Sequence, residues 1–272
     1  MKVNEGIAIQ TDAVLLVPYE ARHVPRYHSW MQDPDIREAT ASEALTLQEE
    51  FENQQSWRRA HDKLTFILCR PPPPPSTPLS RAVAGQHDAE GSMIGDVNFF
   101  LYPHDEEPEP DREHGNGDEA RNGENGETRQ ILVRGEVDIM VAETDARGRG
   151  VGSAAVRALL AFVARHTGAL LEEYAAGERA RWVPESSSRS QAQSQGGGAD
   201  AAGMRLVGLM VKIKESNASS IRLFGALGFV QDGGVDYFGE VKMVLPWDSA
   251  QHAGTDGAAR LGYRELVYAS SV

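Results

Sequence analysis

Apolar positions along the chain recur with two different periods. Short runs rich in Val, Ile and Phe, or alternating with polar residues, occupy positions 13–17, 64–69, 93–101, 136–141, 206–213 and 237–245. They predict strands. Between them the spacing lengthens to that of helices. Val24, Tyr27 and Met31 share a face with Pro25 near the first turn. Thr46 stands three residues before Glu49, a capping-box spacing ahead of Leu47 and Phe51. Val156, Leu159, Leu160 and Val163 fall at i, i+3, i+4 and i+7, an apolar stripe for packing on a sheet. The predicted order is strand, two helices, three strands, helix, strand, helix and one or two closing strands.

Three stretches break this order. Pro71 to Pro75 opens a segment that runs to about residue 91 and predicts an extended spacer. Residues 103–130 are rich in Asp, Glu, Gly and Asn and predict a disordered insertion at a hairpin tip. Residues 177–203, with Gly196-Gly197-Gly198, predict a flexible linker between helix and strand. The expected organisation is one domain over residues 1–246 with flexible insertions near 71–91, 103–130 and 177–203, then a C-terminal tail over 247–272.

Charge follows the insertions. The formal net charge is −13, but ten acids and three arginines place −7 of it between residues 103 and 130, which leaves −6 for the rest. No basic tract points to nucleic acid. No run approaches 18 apolar residues and no uninterrupted apolar leader opens the chain, so neither a membrane span nor a signal peptide is expected. The single cysteine, Cys69, lies in an apolar run and is expected to pack as a small hydrophobe in a reducing compartment. Location in the cytoplasm is expected, with the nucleus also open.

The strongest local signal is EVDIMVAETDARGRGVGSA at residues 136–154, a strand that leads through a glycine-rich turn into the striped helix. A helix N-terminus leaves backbone N–H groups unpaired and carries partial positive charge, so it binds a pyrophosphate where nothing bulky blocks approach. Gly148, Gly150 and Gly152 clear the path, and Arg147 and Arg149 can add side-chain contacts. The G-x-G-x-G spacing is not the G-x-G-x-x-G of a dinucleotide fold, and no Gly-Lys-Ser/Thr completes a Walker A loop. The bland alternative is a glycine turn that opens a helix with no ligand.

Arg147-x-x-Gly150-x-Gly152 resembles the Q/R-x-x-G-x-G/A motif of the GNAT acetyltransferases, in the place that family has it, between its fourth strand and third helix. NASSIRLFGALGF at residues 217–229 is similar to the family's N-x-x-S/A-x-x-x-Y/F-x-x-x-G-F segment after the fifth strand. With LVPYEARHVPRYHSWMQD, TASEALTLQEE and GDVNFFL, these stretches are similar to the N-acetyltransferase-nine-like group over most of residues 13–245. The insertions and the tail fall outside the likeness. The resemblance implies an α/β (α+β) GNAT fold: a central mixed, mostly antiparallel sheet of six to seven strands, flanked by about four helices and splayed between strands 4 and 5. It implies acetyl-CoA as co-substrate, with no metal. It carries cofactor contacts onto Ile139, Met140 and Val141, onto Arg147, Gly148, Arg149, Gly150, Val151, Gly152 and Ser153, and onto Asn217, Ser220 and Phe224.

Acetyl transfer to an amine needs a proton acceptor, and a carboxylate can serve. Glu136 and Asp138 lie two apart on the strand before the turn and share one face. Glu136 is the first candidate base and Asp138 the second, beside the reading of both as solvated sheet residues. Phe224 stands where many GNAT enzymes have a tyrosine that protonates the thiolate, so no general acid is assigned; Tyr237 is one substitute. Asn217 also reads as a helix N-cap. Thr40, Ser42 and Glu43, then Trp57 and His61, are candidates for holding an acceptor, and His23 and His28 flank a helix face with Tyr27 and Trp30. No tight Cys/His/Asp cluster has metal-ligand spacing. The expected acceptor is a peptide or protein amine, with tubulin as the partner the resemblance suggests. Two other readings stand beside it: a GNAT-fold acetyl-CoA-binding or microtubule-associated protein with little turnover, and a small-molecule amine acetyltransferase.

Overall fold

The computed structural model of the chain describes residues 1–72, 79–104, 130–182 and 203–269. The centre of the acidic insertion, most of the Ser/Gln/Gly linker and the middle of the proline stretch lie outside these residues. Strands form at β1 (Ile7–Gln10), β2 (Leu15–Pro18), β3 (Lys63–Cys69), β4 (Arg81–Val83), β5 (Met93–Pro103), β6 (Ile131–Val141), β7 (Met204–Lys214), β8 (Val230–Val235), β9 (Glu240–Pro246) and β10 (Arg264–Ala269). Helices are α1 (Val24–Trp30), α2 (Pro34–Ala39), α3 (Leu47–Arg59), α4 (Val151–Trp182), α5 (Ala218–Ala226) and α6 (Trp247–Arg260).

All six expected strand runs are present, and α3 starts at its Thr46–Glu49 capping box. The count differs. One ten-stranded sheet has the order β4-β10-β1-β2-β3-β5-β6-β7-β9-β8, where six to seven strands were expected. The extra strands come from outside the family-like stretch. The expected tail after Pro246 forms α6, which packs along α4, and β10, which pairs with β1. The later half of the expected spacer near 71–91 supplies β4, parallel to β10, with Ala82 and Ala84 buried. At the third insertion, α4 continues as helix to Trp182.

The sheet is antiparallel except at β4/β10 and β6/β7. The β6/β7 pairing runs only from Ile131/Met204 to Glu136/Met210, although the strands continue to Val141 and Lys214. This opening is the splay expected between the fourth and fifth predicted strands. One face is closed by α4 and α6, where Phe66, Phe99, Val137, Leu159 and Phe162 pack in the larger core. Burial of such side chains at ~25 cal/mol per Å² is the main stabilising term. By length and composition Val151–Arg181 in α4 could cross a membrane. Here its stripe of Val156, Leu159, Leu160 and Val163 is fully buried on the sheet. The other face is covered by α1 and α2 around Val17, Trp30, Met31, Ile36 and Ile67, with α3 on β3.

Candidate active site

A cleft of about 220 Å³ opens on this second face at the splay. Glu136, Asp138, Ile139 and Met140 of β6 line one side, and Val211 to Lys214 of β7 the other. The N-terminal end of α5 closes it with Asn217, Ser220 and Phe224. Tyr27, Trp57 and the turn Thr40 to Ser42 form the rim contributed by the first three helices. The cleft thus joins both expected base residues with Thr40 and Ser42 of the acceptor candidates and Ile139, Met140, Asn217, Ser220 and Phe224 of the cofactor candidates, while the glycine turn lies outside its lining.

Burial governs the carboxylates. It raises Glu136 above the ordinary range, with the Lys212 ammonium opposing and Glu240 adding to the rise. Asp138 is pushed up to about 7 by burial and then by the like charge of Glu136, again against Lys212. A base works best with a pKa near the working pH, and both candidates are shifted upward toward it. A third carboxylate was not anticipated. Asp96 on β5 is 1% exposed and is pushed up to about 7 by burial, opposed by the Asn98 amide and helped by Asp138. Asn98 lies directly across from Asp138 in the β5/β6 register. The available signal was Asp96-x-Asn98, two polar residues at strand spacing inside an apolar run.

Local sequence explains how β5 presents them. The register shifts between Leu68 and Cys69 opposite Met93 and Gly95, and a Cβ at Gly95 would lie 1.9 Å from the Met140 carbonyl oxygen. Only glycine admits this approach. Beyond the irregularity Val97 and Phe99 enter the larger core, while Asp96 and Asn98 line the cleft.

β6 ends in a short 3-10 turn at Thr144–Ala146 and then the glycine turn. Gly148 and Gly150 have φ of +71° and +79° with open space where a Cβ would sit. Backbone conformation, rather than crowding, therefore requires glycine there. Gly152 differs: its Cβ would meet Leu223 Cδ1 at 2.8 Å, so it lets α4 pack against α5. Arg149 and the turn glycines Gly148 and Gly150 are exposed, Ser153 is half-buried, and Val141 and Val151 pack at the core edge. Arg147 is exposed as well. Its Nε donates to the Val141 carbonyl at 2.8 Å and its Nη2 to that of Ala142 at 3.0 Å, tying the turn back to the end of β6.

Other candidates separate. Asn217 is the N-cap of α5: its Oδ1 accepts from the Ser220 amide at 3.1 Å while the residue also lines the cleft. Phe224 is buried edge-on to Phe229. Thr40 donates to the Ile36 carbonyl at 2.9 Å, and its Oγ1 lies 2.9 Å from Ser42 Oγ. Between them Ala41 is the non-glycine residue with positive φ, +49°. Glu43 is exposed and does not line the cleft, because the chain has by then turned toward the α3 cap. His61 pairs with Glu178 at 2.8 Å on the far side, and His28 lies near Gln32. His23 is fully buried on Asp88 at 2.7 Å. Tyr237 is 96% exposed at the β8–β9 turn, away from Phe224 in the core, so it does not supply the missing hydroxyl. Among the described residues no group of three or more His, Cys, Asp or Glu is placed to hold a metal.

Comparison with known proteins supplies the family. The model of the acetyltransferase (GNAT) domain matches residues 13–230. An alpha/beta-tubulin-N-acetyltransferase 9 of Drosophila melanogaster is 33% identical over 246 residues, 90% of each chain. An N-acetyltransferase 9-like protein of Caenorhabditis briggsae is 32% identical over 247 residues, covering 90% of this chain and 89% of that one. Among solved structures, a GNAT-family acetyltransferase from Bacillus anthracis aligns with a TM-score of 0.49 at 10% identity, over 89% of this chain and 99% of that chain.

Proposed function

Because this chain belongs to the GNAT acetyltransferase family, with N-acetyltransferase 9-like relatives, it is an N-acetyltransferase, and we propose that it moves an acetyl group from acetyl-CoA to a protein or peptide amine, tubulin foremost. The observation that carries the reading is one strand with two duties. β6 offers Glu136 and Asp138 to the cleft and ends in the glycine turn that opens α4. The donor's phosphates and its reacting end are thereby served from the turn after one strand and from the middle of that same strand. The tubulin assignment rests on the name carried by the Drosophila relative.

The thioester, when bound, supplies an acetyl carbon open to attack. The free amides at the start of α4 and the left-handed glycines offer donors and partial positive charge to its diphosphate. Arg147 ties that mouth to the end of β6 through the Val141 and Ala142 carbonyls. Asp138 takes the proton from the acceptor ammonium. The amine nitrogen then bonds to the acetyl carbon as the carbon–sulfur bond breaks, in one complex of both substrates. Phe224 offers no hydroxyl to the departing sulfur. A thiol of pKa ~8.5 leaves tolerably as an anion, and the second proton, lost from nitrogen as the carbon–sulfur bond breaks, is taken up afterwards by that thiolate or by solvent.

The test uses the full chain, acetyl-CoA and purified αβ-tubulin. CoA release and a mass increase on tubulin are expected, together with saturable acetyl-CoA binding in calorimetry. Binding without CoA release from tubulin or any free-amine peptide would replace the enzyme reading with that of an acetyl-CoA-binding protein.

A further inference from the structure

Asn98 is a buried amide with half of its hydrogen bonding left open. It is 6% exposed and lines the cleft. Its Nδ2 donates to Asp96 Oδ2 at 2.7 Å. With Asp96 ionised, its carboxylate only accepts hydrogen bonds, so in that state this contact fixes which end of the amide is which. The other end, Oδ1, is buried with no hydrogen-bond partner in the protein. Leaving such an acceptor empty is unfavourable, and each case in a folded protein calls for an explanation.

The partner it lacks is a donor, and its neighbour says which. Asn98 and Asp138 are directly opposed on β5 and β6, which places their Cβ atoms about 4.5–5.5 Å apart on the same face. A carboxylate and an amide oxygen side by side match two N–H groups on one nitrogen. We propose that Asn98 Oδ1 accepts an N–H of the acceptor amine while Asp138 takes the other proton, and that Asp96 is the positioning residue that turns the Asn98 oxygen toward the cleft. Held at two points, the nitrogen keeps its lone pair free for the acetyl carbon. An alcohol, with one O–H, cannot satisfy both acceptors, so the pair selects amines.

This inference rests on the acetyl-transfer reading of the cleft, and the measurements keep the two apart. Initial rates of CoA release are measured for the full-length protein with purified αβ-tubulin and with free-amine peptides, beside acetyl-CoA affinity by calorimetry. Asn98→Leu, close in shape, is expected to lower kcat/KM for the acceptor at least tenfold with acetyl-CoA Kd within twofold; Asn98→Ala serves where the leucine variant does not fold. Asp96→Asn frees the amide to turn over and is expected to lower kcat/KM about fivefold. In the Asn98→Leu background the same change should matter less than twofold, because Asp96 acts through Asn98. An Asn98→Leu rate within twofold of wild type, or an Asp96→Asn effect of equal size in both backgrounds, overturns the inference while an inactive Asp138→Asn leaves the site reading standing. Wild-type protein that releases no CoA with either acceptor removes both.

Discussion

Asp138 answers to two opposing fields, and each can be removed singly. Burial and the charge of Glu136 push it up to about 7, while Lys212 pulls the other way. A base must be ionised, so the rate should rise with pH through about 7. Glu136→Gln deletes the repelling charge, and the rising limb should move to lower pH; rates measured from pH 5.5 to 9 check this, and an unmoved limb removes Glu136 as its neighbour. Asp138→Asn should abolish the limb and lower kcat by about 100-fold or more. Asp96 makes a stability prediction. Its pKa rises from 3.8 to about 7 on folding, so the folded state holds the proton more tightly. Its contribution is fully present below about 4 and is lost as pH climbs toward 7. Asp96→Asn should therefore melt near wild type at pH 4 and above it at pH 8, by on the order of 2–4 kcal/mol. Glu136 and Asp138 are legible in sequence because they alternate just before the glycine turn. Asp96 and Asn98 escape notice because a lone D-x-N gains meaning only from register with the next strand, which periodicity does not encode.

Between β6 and α4 the chain reverses on two glycines, and an element-level test follows from their φ values. Val at residue 150 would have to adopt φ +79°, which costs an L-residue about 1–2 kcal/mol and a β-branched one more. Nothing lies within 4 Å of a Cβ there, so the fold should survive. The turn should relax to another conformation and acetyl-CoA Kd should rise at least tenfold by calorimetry. Unchanged affinity would show that these amides do not hold the donor. The same contrast explains what was legible among the elements. β3, β5, β6, β7 and α4 carry long, strongly periodic patterns, and α3 carries its cap in the letters Thr46 and Glu49. β1 and β4 have four and three residues, too few for a period to register. α6 reads as a tail because Gly254 and Gly257 weaken helical propensity. In the folded chain Gly254 is what allows α6 against α4, since a Cβ there would lie 2.9 Å from Leu160 and Ala161 backbone atoms.

At the scale of the whole molecule, the edge of the sheet farthest from the cleft is held by a buried polar knot. Asp88, from the segment after β4, receives His23 Nε2 at 2.7 Å, the Tyr268 hydroxyl from β10 and the Gly85 amide. His23 Nδ1 accepts from the Glu20 amide at 3.0 Å, which leaves the proton on Nε2 facing Asp88. Three distant stretches of chain, the entrance to α1, the β4 segment and β10, are thus fastened at one carboxylate. Burial alone would raise Asp88, but the His23 and Tyr268 hydrogen bonds hold it well below the usual carboxylate range. A depressed carboxylate stabilises the fold above its unfolded value of about 4, and that contribution is lost as pH falls below it. Asp88→Ala leaves the buried His23 unpaired and the half-buried Tyr268 hydroxyl without its acceptor, and should destabilise by about 3–5 kcal/mol, whereas Tyr268→Phe should cost only about 1. Because the side-chain hydrogen bonds of Asp88 and Tyr268 go to Arg22, His23, Gly85 and each other and not to the glycine turn, acetyl-CoA Kd below the melting temperature should stay within twofold in both variants. Thermal melts at pH 7 and pH 2.5 with calorimetry decide it: an Asp88→Ala deficit that does not shrink at the lower pH would mean that the carboxylate's charge is not what closes this edge.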